Sequence, residues 1–152
     1  MSELDDIDRA ILRILQRDAS ISMDALSEQV NLSRNATWRR IKGMEQAGII
    51  RGRTVTLDPV AVGCGLQVVV LVKTQAHAPD WLARFQTAVR AMPEVVSAHR
   101  MTGDLDYMLR VRVADVAGYD RFYKRLIAKV EIADVSASFV MEDLKDGTAI
   151  PV

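Results

Sequence analysis

Arg34, Asn35, Trp38, Arg39, Arg40 and Lys42 crowd into residues 34–42. They carry hydrogen-bonding groups that suit double-stranded DNA. An arginine fork fits guanine O6 and N7, an asparagine amide pairs with adenine, and lysine or arginine meets phosphate. That chemistry needs one face of a short helix whose first turns can enter a major groove. Ser33, just before the run, is an N-cap type. Thr37, Ile41 and Met44 repeat at i, i+4, i+7 and make a buried face. Arg34, Asn35 and Trp38 are then placed to read base edges. Arg39, Arg40 and Lys42 are placed to fix position on the phosphates. A plain αα-hairpin with a solvated basic face has the same periodicity, but polar residues concentrated in the first turns favour DNA.

A second constellation is Thr102-Gly103-Asp104-Leu105-Asp106-Tyr107. A glycine in a hairpin lets backbone approach a ligand or another chain closely. Asp104 and Asp106 offer carboxylates to an ammonium group, while turn N–H groups can receive a carboxylate. Gly and Asp are also ordinary turn residues, so a plain hairpin fits the same letters. Tyr107 is expected to place its ring in the core. Asp104, Asp106 and His99 would also serve as acid and base in a small enzyme. No nucleophile motif, phosphate loop or metal constellation accompanies them, so an enzyme is not expected.

The elements that must hold these residues follow from periodicity. Ile7, Ile11, Ile14 and Leu15 form an apolar stripe over 4–18, with Asp5 and Asp6 at the helix start, where acidic groups suit the dipole. Ser22 caps a second helix with Leu26 and Val30 on one face, and Asn31-Leu32-Ser33 breaks it. Gly48 ends the third helix. Gly43 inside that helix is unfavourable by about 1 kcal/mol relative to alanine. Residues 49–57 read as extended, either a wing or a strand pairing with its copy in a partner. Asp58-Pro59 and Gly63-Cys64-Gly65 follow as breaks. The predicted division is 1–50 for a helix-turn-helix domain, 51–65 for a linker and 66–152 for a second domain.

That second domain reads β-α-β-β-α-β. Val68-Val69-Val70-Leu71-Val72 is an unbroken apolar strand, which implies cover on both faces. A helix over 80–92 opens at Pro79 with Leu82, Phe85, Val89 and Met92 inward, and Pro93 stops it. Strands are expected over 95–102 and 106–113. A helix over 116–130 with Tyr119, Phe122, Leu126 and Val130 inward precedes a strand over 132–140. The order is that of an α+β ferredoxin-like sandwich. Its helices cover one face of the sheet, so a sheet-to-sheet homodimer is the simplest cover for the other.

Composition bounds the rest. The 152 residues carry 20 Lys+Arg against 20 Asp+Glu, so whole-chain charge does not itself draw the protein to nucleic acid. The charge is unevenly spread, however: Arg34, Arg39, Arg40, Lys42, Arg51 and Arg53 face only Glu45 in that stretch. A local basic stripe is what phosphates require. One cysteine, Cys64, excludes an internal disulfide or a Cys-type zinc site. Neither cofactor nor metal is expected, and His77 and His99 read as buried or surface imidazoles. No apolar run is long enough to span a bilayer and no signal peptide is recognised, so no membrane partner and a cytoplasmic location are expected.

This combination resembles the Lrp/AsnC family of bacterial regulators. The motifs that carry the resemblance are Asp6-Ile7-Asp8-Arg9-x-Ile11-Leu12, Leu32-Ser33, Arg40-Ile41-x-x-Met44-Glu45-x-x-Gly48-Ile49-Ile50 and the hairpin run 102–107. They span nearly the whole chain. The resemblance implies an amino-acid-responsive, DNA-binding transcription factor that dimerises through the C-terminal sheet and often forms octamers or larger assemblies. It implies an effector site at Thr102, Gly103, Asp104, Leu105, Asp106 and Tyr107, with Ser136 and Ser138 at positions carrying hydroxyls near the effector. Gly43 departs from the family, where a basic residue is common. The runs Lys73-Thr74-Gln75, Met92-Pro93-Glu94-Val95 and Tyr119-Asp120-x-Phe122-Tyr123-Lys124-Arg125-Leu126 look most like a proteobacterial branch that responds to cysteine. Cysteine is therefore the first-choice effector, with serine or alanine behind it. An architectural DNA-binding protein without an effector is the alternative.

Overall fold

The computed structural model describes residues 4–74, 78–147 and 149–152. His77 and Gln75 lie outside the described residues. The chain divides into two compact units, Met1–Val55 with Lys145–Val152, and Thr56–Leu144.

Three helices build the first unit: α1 (Asp6–Arg17), α2 (Met23–Gln29) and α3 (Arg34–Gln46). Asp5 caps α1 in a reciprocal box: Asp8 N–H donates to its carboxylate at 2.8 Å, and Asp5 N–H donates back to Asp8 at 3.4 Å. Ser22 and Ser33 cap α2 and α3, each accepting at 3.2 Å from the amide three residues on. Between α2 and α3, Asn31 takes φ +53, a region asparagine tolerates. Gly48 (φ +72) closes α3 as a Schellman motif: its N–H donates to Glu45 and that of Ile49 to Met44. The core is Ile11, Leu12, Leu26, Val30, Ile41 and Met44. Thr37, Ile41 and Met44 are buried as their spacing requires.

The sequence division ran the second domain to residue 152. The last residues instead pack on α1. Gln16 Nε2 donates to Ile150 O at 3.1 Å, Ile150 N–H donates back to Gln16 at 2.8 Å, and Arg13 donates to Val152 O at 3.0 Å. A short tail without periodicity carries no local signal of where it docks. Residues 51–58 form no strand, and Val55 and Leu57 are 80% and 62% exposed.

The second unit contains β1 (Leu66–Lys73), α4 (Pro79–Arg90), β2 (Val95–Arg100), β3 (Tyr107–Val113), α5 (Val116–Lys129) and β4 (Asp134–Phe139). The sheet order is β2-β3-β1-β4 with every pairing antiparallel, the ferredoxin-like arrangement expected. Val68, Val70 and Val72 of β1 and Leu109, Val111 and Val113 of β3 are buried in one core with Phe85, Phe122 and Leu126 from the helices. Trp81, absent from the expected α4 stripe, is also buried, and its indole N–H donates to Glu131 O at 2.6 Å. Its ring lies 5.0 Å from Phe85 and 5.6 Å from Tyr107.

The opposite face of the sheet is less apolar than an unbroken Val-Val-Val-Leu-Val run suggests. Cross-strand register lines up His99, Met108, Leu71 and Ser136 in one row and Ser97, Arg110, Val69 and Ser138 in the next. Val69, Leu71 and Met108 are half-buried, and polar side chains flank them.

Candidate nucleic-acid interface and effector turn

On α3 the free face is as its periodicity requires: Ser33, Arg34, Asn35, Trp38, Arg39 and Lys42 are all exposed. Trp38 is 51% exposed, a large aromatic surface for a helix of a small unit. Arg34 lies 3.3 Å from Asp24, an ion pair exposed on both sides and therefore weak. Lys42 Nζ reaches Glu45 at 2.7 Å, and Arg53 faces the same carboxylate at 3.6 Å. Lys42 first, and Arg53 with it, hold the Glu45 carboxyl below its ordinary value.

Arg40 is placed differently from its neighbours. Its Nη1 lies 2.7 Å from Asp5 and 2.8 Å from Asp8, so it ties α3 to the N-terminal cap of α1. These contacts raise the Arg40 pKa further, Asp8 contributing most. The Asp8 amide, then Arg40, hold the Asp5 carboxyl below its ordinary value. The geometry gives Arg40 a positioning role that the sequence did not separate from phosphate contact, because the carboxylates it meets lie 32 and 35 residues away.

In the second unit, Gly103 sits at the exposed hairpin between β2 and β3 with φ +108, where a side chain would be strained. Thr102 and Asp104 are exposed beside it, and Leu105 and Asp106 are half-buried. The two carboxylates part company. Asp106 Oδ2 accepts from the Thr74 N–H at 2.8 Å, its own N–H donates to Val72 O, and its carbonyl accepts from Met101. It staples the hairpin to the end of β1. Asp104 stays at the surface. Tyr107 points into the core, its ring 4.6 Å from Phe85.

Ser136 and Ser138 are exposed on the open face of β4, opposite Leu71 and Val69. Two strand spacings, about 10 Å, separate β4 from β3. Within one chain the serines and the turn are therefore not brought together. His99 is exposed on β2, and the Asp106 carboxylate is engaged with the Thr74 backbone amide. Among the described residues no cluster of three His, Cys, Asp or Glu could hold a metal ion, and no helix is long and apolar enough to cross a membrane.

Residues 67–150 match the Lrp/AsnC ligand binding domain, and residues 4–51 match a winged helix-turn-helix DNA-binding domain. The chain belongs to the Lrp/AsnC family. It is 47% identical over 150 residues to the DNA-binding transcriptional activator DecR of Escherichia coli (strain K12), covering 98% of this chain and 99% of that protein. The crystal structure of an AsnC family transcriptional regulator from Agrobacterium tumefaciens superposes with a TM-score of 0.93 at 50% identity, over 97% of this chain and 96% of the other. A transcriptional regulator from Neisseria meningitidis, solved as its L-Met complex, gives 0.93 at 35% identity over 98% and 97%. Like these Lrp/AsnC relatives, the chain is a DNA-binding transcriptional regulator with an amino-acid-binding domain, and its relatives are regulators rather than enzymes.

Proposed function

We propose that this regulator reads a near-palindromic operator through α3 and that its assembly and DNA affinity respond to a small, sulfur-containing or polar amino acid, cysteine first. Arg34, Asn35 and Trp38 reach base edges, Arg39 and Lys42 meet phosphates, and Arg40 holds α3 against α1. The effector lies against the turn of Thr102, Gly103, Asp104 and Leu105. Ser136 and Ser138 of a second copy of the chain close it from the other side.

The observation that carries this reading is the division of labour in the turn. Asp106 is consumed in fixing the hairpin, so the surface carboxylate of Asp104 is presented from a rigid frame. A preorganised carboxylate beside a glycine backbone suits an α-ammonium group. The Neisseria meningitidis relative, solved with L-Met, adds support for a sulfur-containing ligand.

Calorimetric titration of the full chain with the twenty amino acids tests it. Cysteine should bind, and by reciprocity should shift DNA affinity by the same factor as DNA shifts its own, typically 1–3 kcal/mol of coupling. Asp104→Ala should lose that response and keep basal DNA binding. A variant that responds to cysteine with unchanged affinity removes the site. Tight leucine binding with none for cysteine removes the effector. Binding of no amino acid at all would favour the architectural alternative.

A further inference from the structure

β4 lies at one end of the sheet order, and among the described residues it pairs with β1 alone. Its outer edge therefore presents backbone donors and acceptors. Val140 N–H donates to Gln67 O, and bonding direction alternates from there along the register. Ser136 and Ser138 thus bond toward β1, while Val135, Ala137 and Phe139 turn their N–H and C=O groups outward. Sheet edges are commonly protected by lysine, proline, a bulge or brevity. β4 is six residues long, holds neither lysine nor proline, and pairs with β1 in unbroken register.

The side chains beside that edge are apolar and only partly covered. Val135, Ala137 and Phe139 share the helix side of the sheet, yet Ala137 is exposed and Phe139 is 44% exposed. The flank of α5 toward β4 carries Tyr119, Tyr123 and Ile127, the last 42% exposed. Tyr119 meets Phe139 edge-on at 5.6 Å and lies 6.4 Å from Tyr123. Residues 130–133 turn the chain back from α5 into β4. Four helix residues and two strand residues each advance about 6–7 Å. Tyr119, Tyr123 and Ile127 therefore keep step with Phe139, Ala137 and Val135. Asp120 and Lys124, paired at 2.7 Å, border this patch, and Asp134 stands at the start of the strand. Arg121 and Arg125 lie on the opposite flank of α5, Arg125 against Glu94 beside β2.

We propose that two copies of the chain pair through this edge, β4 against β4, about a two-fold axis at Ala137. Antiparallel pairing of identical strands is self-complementary. It sets Val135 against Phe139 and Ser136 against Ser138 of the second copy, with the smallest side chain of the strand on the axis. Asp134 is kept away from its own image. The two α5 helices then run antiparallel along the seam about Tyr123. Asp120 and Lys124 stand on either side of that tyrosine, so the acid of each copy lies beside the base of the other. This charge match selects a second copy of the chain as the occupant. The contact leaves the open face of the sheet free and can join face-to-face dimers into a larger assembly.

Cysteine cross-linking of the full chain in a Cys64→Ser background decides it. Bonded residues facing each other across an antiparallel ladder have Cα atoms about 5.5 Å apart, within reach of a disulfide. Ala137→Cys, on the axis, should link two copies on mild oxidation. Ser138→Cys, displaced two residues from its image, should not. With Cys64 in place, Ala137→Pro removes an outward donor and leaves the bonds to β1 intact, and Ile127→Glu charges the apolar flank. Each should weaken association about tenfold or more, read as loss of the largest species in sedimentation velocity. Thermal unfolding and half-site DNA binding of Ile127→Glu should stay as in wild type. Adding Leu71→Lys should leave the Ala137→Cys link intact, which separates the edge from the open face. The proposal is overturned if Ala137→Cys links no faster than Ser138→Cys, or if Leu71→Lys abolishes the link. It is also overturned if Ala137→Pro and Ile127→Glu both keep the wild-type mass at every concentration.

Discussion

Asn35 and Lys42 share one face of α3 but have different surroundings. Asn35 is exposed in the first turn, where a base-reading side chain belongs, whereas Lys42 lies a further two turns along and shares Glu45 with Arg53. Asn35→Ala should cost about 1–3 kcal/mol on the specific operator and relax preference at one base position. Lys42→Ala should weaken specific and random DNA alike and lower the salt slope by about one. Fluorescence anisotropy on both DNAs across a salt series checks this; identical behaviour of the two variants would defeat the assignment. Asp5 makes a second residue-scale test. Its carboxyl is held below the ordinary 3.8, chiefly by the Asp8 amide and next by Arg40. A depressed folded value means stability that is present above 3.8 and lost as pH falls through the folded value. Asp5→Asn keeps a capping side chain without the charge. Its deficit in stability relative to wild type, followed by circular dichroism, should therefore be widest near neutral pH and close on acidification. A deficit constant into the acid range would show that the charge is idle.

At the scale of elements, the sequence was legible wherever a helix or strand signals itself locally. Both serine caps, the Gly48 stop and the alternate burial along β3 follow from short-range pattern. Of the α4 stripe, Phe85, Val89 and Met92 are buried as read and Leu82 sits at the margin of the core; Trp81 was missed, because a non-local acceptor, Glu131 O, draws its indole inward. Of the turn, Tyr107 lies in the core as expected, but the separate employment of Asp104 and Asp106 rests on the Thr74 amide, 32 residues away. The same distance effect hid the Arg40 clamp. Gly43 remains without a reason within the unit, since a Cβ there meets nothing within 4 Å. Gly43→Ala should accordingly stabilise the first unit by about 1 kcal/mol. Gly48→Ala, at φ +72, should destabilise it by about 1–2 kcal/mol. Urea unfolding of the two variants gives the signs; a destabilising Gly43→Ala would mean that α3 needs the flexibility or that another chain approaches there.

At the scale of the whole molecule, the open face of the sheet decides what the chain can do alone. Val69, Leu71 and Met108 are half-buried at its centre, with Arg110, His99, Ser136 and Ser138 around them. An apolar centre with a polar rim is how a specific interface is built, and a two-fold axis would let one patch serve both copies. The proposed homodimer uses this face. The exposed Val55 and Leu57 beside it in sequence order would be covered if residues 49–57 pair with their copy. A two-fold dimer presents two α3 helices about 34–36 Å apart or a multiple, which demands near-palindromic operators. Leu71→Lys sets a charge against its own image across such an axis. Light scattering should find wild type dimeric or larger at micromolar concentration and Leu71→Lys shifted toward monomer. The variant should bind an isolated half-site as wild type does, yet lose the advantage of two half-sites on one duplex, because that advantage is the effective concentration supplied by the dimer. A monomeric wild type would remove the dimer from the mechanism. A Leu71→Lys protein that stays dimeric with full operator affinity would move the interface to another face, and with it the assignment of Ser136 and Ser138 to a neighbour's effector turn.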